Sequence, residues 1–545
     1  MRIFRRVLLV AVLILFLAFV WIWINRPQRV DMSAFAPASA LIYLESNSLM
    51  EVADGIAATD TWKQVKPLIG ETKSDWPSAQ TRRFIAFTGI GPTASVIIAR
   101  AQVAMVMLDL GAREEADTMT LKPEAALLIE THTSRRRIRT TVEQALQTFA
   151  ERFYSRPTLR RTIVDGDEFL IWSAADNNRQ IVAIIDDSLV IVANSDRAVK
   201  ACLEARRGLR PNLNNEPELR QMKNNLSADG ALAFGFVPSS HAPELLALVT
   251  PVALGRAPGG AQIDSLVARS AAKILSSAGW SARLREGAIE DHYFFTLNPA
   301  VASRMRPVFQ PSQQSVTPSA FVPQSVQSVT VYRFKQADQT WRELQTTLSS
   351  QLDTLSAVLV TSVLKSGLTP YGIDDPEKFL RLVGPEIMTL RLKANEASSV
   401  LIAQVRDEPG LRALFKNPVL QASEDEDRQL TVHYQAGYVL LGSADDVQSC
   451  LQATNEQKLK HFGSEPSSTI VTYSDDSARV ADFISALARA QNTTAKLDGN
   501  PQLNQALQLP FAVTETSLSD SGLERRTRSP FGQFSALVPL LFPSN

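Results

Sequence analysis

At 545 residues, 45% hydrophobic and 21% charged, the chain holds roughly three or four domain-sized units and is far too apolar to be disordered. Its 56 basic and 56 acidic residues balance, which removes any global electrostatic reason to bind nucleic acid. Two cysteines exclude a disulfide scaffold and a cysteine-rich zinc site.

The first predicted element is a membrane anchor. The run from Val7 to Ile24 is 18 consecutive apolar residues, about 27 Å as a helix against a hydrocarbon core of roughly 30 Å. Trp21 and Trp23 stand at its far end, where indole rings favour the headgroup region. Arg2, Arg5 and Arg6 precede the run while Arg26 and Arg29 follow it, a bias toward a cytoplasmic N-terminus. The expectation is a single-pass protein of the inner (cytoplasmic) membrane with its body in the periplasm or outside the cell. The rival is a cleaved signal peptide ending at Ala34-Phe35-Ala36, but the run is longer than an ordinary signal core and that site lies well beyond its end. Removing residues 1–24 takes away three arginines and no acid, leaving 53 basic residues against 56 acidic.

After Pro37, short β-branched strands alternate with amphipathic helices, the pattern of an α+β fold. Strands are predicted at 40–44, 103–110, 125–131, 169–173, 181–185 and 189–193. A helix is predicted over 142–154, with Val142, Ala145, Leu146, Phe149 and Phe153 on one face. Near Asp187-Ser188 two strands abut with hardly any spacer, so a tight hairpin and antiparallel pairing are expected.

Repetition organises the rest. The strand and helix start at Leu189, Ser195, Val199, Cys202, Leu203 and Ala205 return in register at Gly437, Ser443, Val447, Cys450, Leu451 and Ala453. Gly89-Ile90 before Pro92 is echoed by Gly372-Ile373 before Pro376, and Ala126-Leu-Leu-Ile129 by Ser399-Val-Leu-Ile402. The segment 231–237 is echoed by 469–474, and each copy ends in a predicted hairpin, around Glu286-Gly287 and Ser521-Gly522. The reading is an N-terminal transmembrane helix followed by two homologous α+β units with largely antiparallel sheets. The predicted divisions are an anchor at 1–24, a juxtamembrane linker at 25–35 and a first repeat at 36–303. A Pro/Ser/Gln linker at 304–322, a second repeat at 323–535 and an apolar tail at 536–545 complete them.

The opening Pro37, Ala38, Ala40, Leu41 and Tyr43, the Gly-Ile helix starts before proline, and the Val-Ile-Val-Ala-Asn strand before a helix at Asp196 carry a resemblance. The chain resembles a family of uncharacterised bacterial membrane-anchored proteins catalogued as a domain of unknown function. That resemblance implies the architecture and the location, and it brings no active site to carry over.

Candidate chemistry is sparse. Arg135, Arg136, Arg137 and Arg139 form the strongest basic cluster, suited to anionic lipid headgroups or an acidic partner, or else a solvated helix face. Cys202 and Cys450 occupy equivalent helix positions, either as an inter-repeat disulfide or as small buried hydrophobes inherited by both copies. The five histidines, His132, His241, His292, His433 and His461, show no metal-ligand spacing. Ser362-Val-Leu-Lys365 matches the S-x-x-K of serine acyltransferases, but the Lys365-Ser366-Gly367 that mimics their K-T-G overlaps it and no S-D-N is present. Gly89-Ile-Gly91 and Gly259-Gly260 lack the frame of a nucleotide fingerprint. No catalytic, metal or cofactor site is expected. The apolar stretch 534–542 is too short to span a membrane and is expected to pack on its own domain.

The leading expectation is therefore a non-enzymatic extracytoplasmic binding or scaffold protein of the bacterial envelope, with an envelope protein partner. Twinned units would give it a broad surface or a central cleft. One alternative is a carrier of lipid or another hydrophobic ligand, lined by the apolar segments 245–254 and 355–364. Another is a hydrolase whose residues converge only in three dimensions.

Overall fold

The computed structural model describes residues 29–66, 97–115, 118–154, 156–175, 179–242, 273–312, 321–323, 326–352, 367–393, 400–415, 430–452, 468–490 and 511–536, together with Leu245, Ala357, Thr361 and Lys365. The run from Val7 to Ile24 lies outside them; among the described residues no helix is long and apolar enough to cross a membrane.

Alternating and β-branched segments fold into 18 strands of one sheet among the described residues. The first half supplies β1 (Ile42–Ser46), β2 (Gln102–Glu115), β3 (Thr118–Glu130), β4 (Thr158–Val164) and β5 (Asp167–Ser173). It continues with β6 (Gln180–Asp186), β7 (Leu189–Ala193), β8 (Ala233–Val237), β9 (Leu275–Arg285) and β10 (Ala288–Leu297). The second half supplies β11 (Ser328–Arg333), β12 (Val383–Arg391), β13 (Val400–Val405) and β14 (Leu430–Gln435). It ends with β15 (Tyr438–Ser443), β16 (Ile470–Ser474), β17 (Ala512–Leu518) and β18 (Gly522–Ser529).

Pairing is antiparallel throughout, in the order β4-β5-β6-β7-β3-β2-β1-β8-β9-β10-β18-β17-β16-β11-β12-β13-β15-β14. Read inward, β6-β7-β3-β2-β1-β8-β9-β10 and β14-β15-β13-β12-β11-β16-β17-β18 follow the same chain connections. Among the described residues, the strands β4 and β5 are additions on the first side only. The two sides meet where β10 pairs with β18, from Ile289 opposite Ser529 to Thr296 opposite Gly522. Among the described residues the two sides meet in a hydrogen-bonded joint; of the broad surface or central cleft expected from twinned units, no cleft is formed there.

Turn chemistry explains the hairpins. Asp165-Gly166, Glu286-Gly287 and Ala436-Gly437 each place two successive residues at positive φ, the two-residue turn whose twist matches that of the flanking strands. At the joint, a Cβ on Gly522 would stand 2.5 Å from the Phe295 carbonyl oxygen and 2.6 Å from the Phe294 ring, so only glycine admits the close pairing.

The helices of the first half are α1 (Leu49–Ala57), α2 (Asp60–Val65), α3 (Arg135–Phe153), α4 (Asp196–Arg206) and α5 (Pro217–Asn225). Those that follow are α6 (Pro299–Met305), α7 (Ala337–Gln351), α8 (Pro376–Leu382), α9 (Glu408–Leu414), α10 (Ala444–Leu451) and α11 (Ser477–Ala490). The serines that recur in sequence are N-caps: Ser195 Oγ accepts from Ala198 N at 3.0 Å and Ser443 Oγ from Asp446 N at 3.2 Å. One face of the sheet packs Val182, Ile191 and Phe236 with Val199 and Cys202 of α4, and, farther along, Met388, Ile402 and Leu440 with Val447 and Cys450 of α10. Side chains alternate across strands, so Val190 and Leu441 point the other way. There α3 covers Trp172, Ile185 and Val190, while Phe379 of α8 and Leu411 of α9 join Leu401 and Leu441.

The α3 face differs from the predicted one. The helix begins at Arg135, and its buried positions are Ile138, Val142 and Ala150, with Leu146 packed between the same clusters. Phe149 and Phe153 are instead 49% and 50% exposed and stack on each other at 4.5 Å. A stripe spaced by four from Ile138 drifts around the helix and leaves the two phenylalanines on its flank. Of the predicted linker, Phe321 and Val322 belong to the second core, and residues 313–320 lie outside the described ones. In the apolar tail Phe534 packs with Ile289 and Ala282, while 537–545 lie outside.

Candidate functional site

The polar side chains gather where the chain enters the sheet. Val30 is bracketed by one side chain: its N–H donates to Gln102 Oε1 at 2.8 Å and its carbonyl accepts from Gln102 Nε2 at 2.9 Å. Asp31 then caps the short 3-10 turn Met32–Phe35, and Met32 and Ala36 lie fully within the first core. A pocket of about 350 Å³ opens beside this segment, lined among others by Arg29, Asp31, Glu45, Lys223 and Asp229.

Its chemistry is a charge set around Lys223. Nζ lies 3.2 Å from Asp31 Oδ1 and 3.0 Å from Glu45 Oε1, and the buried Tyr43 hydroxyl donates to Glu45 Oε2 at 2.5 Å. Burial opposes the Lys223 charge, but Glu45 and Asp31 together hold its pKa above the ordinary value. Burial likewise works against Asp31, yet the Ser33 hydrogen bond and Lys223 bring its pKa below the usual range. A lysine so held stays protonated at neutral pH, so it serves as a hydrogen-bond donor and counter-ion, not as a base or nucleophile.

The basic cluster stands one loop away. His132 Nε2 lies 3.1 Å from the same Gln102 oxygen, and an open depression beside it is lined by Thr133, Ser134, Arg135, Arg136, Asp187 and Ser188. The four arginines divide. Arg139 meets Glu143 at 2.9 Å and Glu168 at 2.8 Å, and Arg135 meets Glu168 at 3.9 Å. Arg161 of β4 closes the network on Glu143 at 2.9 Å. These hydrogen bonds, to Glu143 first, push the Arg139 pKa up, so it is committed within the fold. Arg136 and Arg137 are exposed and, among the described residues, meet no carboxylate.

The disulfide between halves does not form. Cys202 and Cys450 are free thiols, both fully buried, one in each core. The strands that lead into their helices, β7 and β15, stand thirteen places apart in the sheet order, roughly 60 Å at the usual strand spacing and far beyond sulfur reach. Burial pushes each thiol up to about 12.

The described histidines do not converge. His132 faces Gln102 and Glu130, and His292 Nε2 lies 2.6 Å from Glu524 Oε1 across the joint. His433 is on β14, and His461 lies outside the described residues. Among the described residues no group of three His, Cys, Asp or Glu is placed to hold a metal. Ser362, both glycine motifs and nearly all of 245–254 and 355–364 also lie outside the described residues.

Sequence reasoning missed two charged sites. Lys223 and Asp31 are separated by 192 residues, beyond any local pattern. Asp291 of β10 is buried at the joint, accepting from Trp280 Nε1 and from Gln533 N at 2.9 Å each. Burial raises its pKa to about 6 despite those donors.

No protein-family model matches the chain, and no curated protein matches it. Among solved structures, crystal form IV of TP0453 has a TM-score of 0.24 at 11% identity, covering 51% of this chain and 86% of that one. Crystal form I of TP0453 has a TM-score of 0.23 at 10% identity, covering 78% and 98%. At those values the likeness bears on neither fold nor function.

Proposed function

We propose that the protein is a non-enzymatic binding or scaffold protein of the bacterial envelope, held in the inner membrane by the run from Val7 to Ile24 with its body outside the cytoplasm. One observation carries the anchored reading: the chain just beyond that run is built into the body. Met32 and Ala36 are 1% and 0% exposed, Phe35 packs against the same core, and Asp31 pairs with Lys223. Cleavage after Ala36 would strip these groups from the fold and leave Lys223 with one counter-ion fewer in a half-buried site. That packing supports retention of the anchor over cleavage after Ala36.

The body is read as two homologous α+β units. In-register Ser195 and Ser443, Cys202 and Cys450, and one strand succession on either side of the joint support descent from a single unit. A sheet hydrogen-bonded across its middle suits the display of a broad surface better than closure over a substrate.

The test is crosslinking of the full-length protein in its own membranes, followed by purification and mass spectrometry of attached proteins and lipids. A reproducible envelope protein partner is expected. Bound lipid without a protein partner would replace this reading by a carrier, and neither would overturn the binding role. Release of the protein from membranes by alkaline carbonate would overturn the anchored location separately.

A further inference from the structure

We infer that Arg136 and Arg137 form a contact site for anionic phospholipid headgroups, seating the body on the bilayer surface beside its own anchor. The inference rests on the anchored reading above and adds an orientation to it. Two independent features carry it, chain length and charge.

The tether is short. Ile24 ends the apolar run and Arg29 begins the described body, so four residues join them; the five Cα-to-Cα steps from Ile24 to Arg29 reach about 17 Å when fully extended. The entry point is therefore held close to the headgroup layer. Gln102 brackets Val30 at that point, and its Oε1 lies 3.1 Å from His132 Nε2. Arg136 follows His132 by four residues and lines the depression that His132 opens. The basic cluster is thus fixed to the end of the body that the anchor holds near the membrane.

The charges there are unevenly committed. Asp31 and Glu45 are met by Lys223, Glu51 by Arg29 at 2.6 Å, and Glu168 by Arg135, Arg139 and Arg161. Asp187, 89% exposed in the same depression, lies 3.8 Å from Arg206. Arg136 and Arg137 are left as exposed cations among the described residues, and guanidinium groups pair bidentately with phosphate. A bilayer rich in anionic lipid supplies those phosphates at the distance the tether sets.

The test uses the full-length protein in vesicles of phosphatidylcholine alone or with phosphatidylglycerol. Ser134→Cys places a single reactive thiol beside the cluster; it caps α3 without a side-chain hydrogen bond. Cys202 and Cys450 are fully buried, so a thiol-directed fluorophore leaves them unlabelled. With a headgroup-quencher lipid present, strong quenching is expected in phosphatidylglycerol vesicles. It should fall to the phosphatidylcholine level in Arg136→Gln/Arg137→Gln and in high salt, and return in Arg136→Lys/Arg137→Lys. Quenching that is absent, or unchanged by the glutamine pair in a protein of unchanged melting temperature, would overturn the contact. Carbonate release of the protein from the vesicles would instead overturn the anchored reading, and the contact with it.

Discussion

The two sides of the β10–β18 joint share a strand succession but cover it differently. On the first side β4 and β5 extend the sheet, and the 19-residue α3 lies over them with the Arg139, Arg161, Glu143 and Glu168 network. On the second side the sheet of described residues ends at β14, and the corresponding layer described there is made by the seven-residue α8 and α9. The ladder is the shared part; the helical layer is where the sides differ. Arg136 and Arg137 belong to that differing layer, so the candidate membrane contact has no counterpart among the described residues of the second side.

The largest effect should come from removing the packing that only the first side has. Trp172 is 0% exposed beneath α3, and its Nε1 donates to Gln147 Oε1 at 2.8 Å. Trp172→Ala should cost about 3–5 kcal/mol in urea denaturation, with the loss confined to the first side by hydrogen exchange. A loss of less than ~1 kcal/mol would mean that α3 is a loosely held addition.

Gly522→Val should come next, at about 1–3 kcal/mol from overpacking. Faster amide exchange in both β10 and β18 is expected, because the pairing is shared. Acceleration confined to β17 and β18 would show that the first side holds β10 unaided.

The two faces of the joint should also respond oppositely to pH. Asp291, raised to about 6 by burial against an unfolded value of 3.8, favours the fold while protonated. That contribution is complete below pH 3.8 and is lost as pH rises through about 6. Glu524, on the opposite face, is lowered to about 2 from 4.5, chiefly by its hydrogen bond with His292. Its contribution is complete above pH 4.5 and is lost as pH falls toward 2. Denaturation midpoints measured against pH should lose the upper limb in Asp291→Asn and the acid limb in Glu524→Gln. Unaltered profiles would remove these carboxyls from the joint's energetics.

The smallest effect belongs to Arg161→Gln, at roughly 0.2–1 kcal/mol, because its pairs with Glu143 and Glu168 are half exposed. It should also weaken with added salt; a larger, salt-independent loss would mean the arginine packs more than it pairs.

Much of the ladder was legible because its causes are local. Glu286-Gly287 names its own turn, and Ser195 and Ser443 announce helix starts within three residues of the N–H groups they cap. The α3 face was misread because the spacing from Val142 fits two stripes, and only contact with Trp172 and Ile185 selects the one through Ala150. The charge set at Lys223 and the pairing of β10 with β18 join residues some 190 to 240 positions apart. Nothing in a local pattern encodes such meetings.

The joint also sets a schedule for synthesis. Strand β10 emerges from the ribosome with β9 as its only neighbour, since β18 follows about 225 residues later. At ordinary elongation rates that interval is on the order of 10–45 s. Throughout it, the first half presents an open strand edge that carries Phe294 and Phe295, a template for pairing with another nascent copy. The last of the described strands, β18, is the one that closes it.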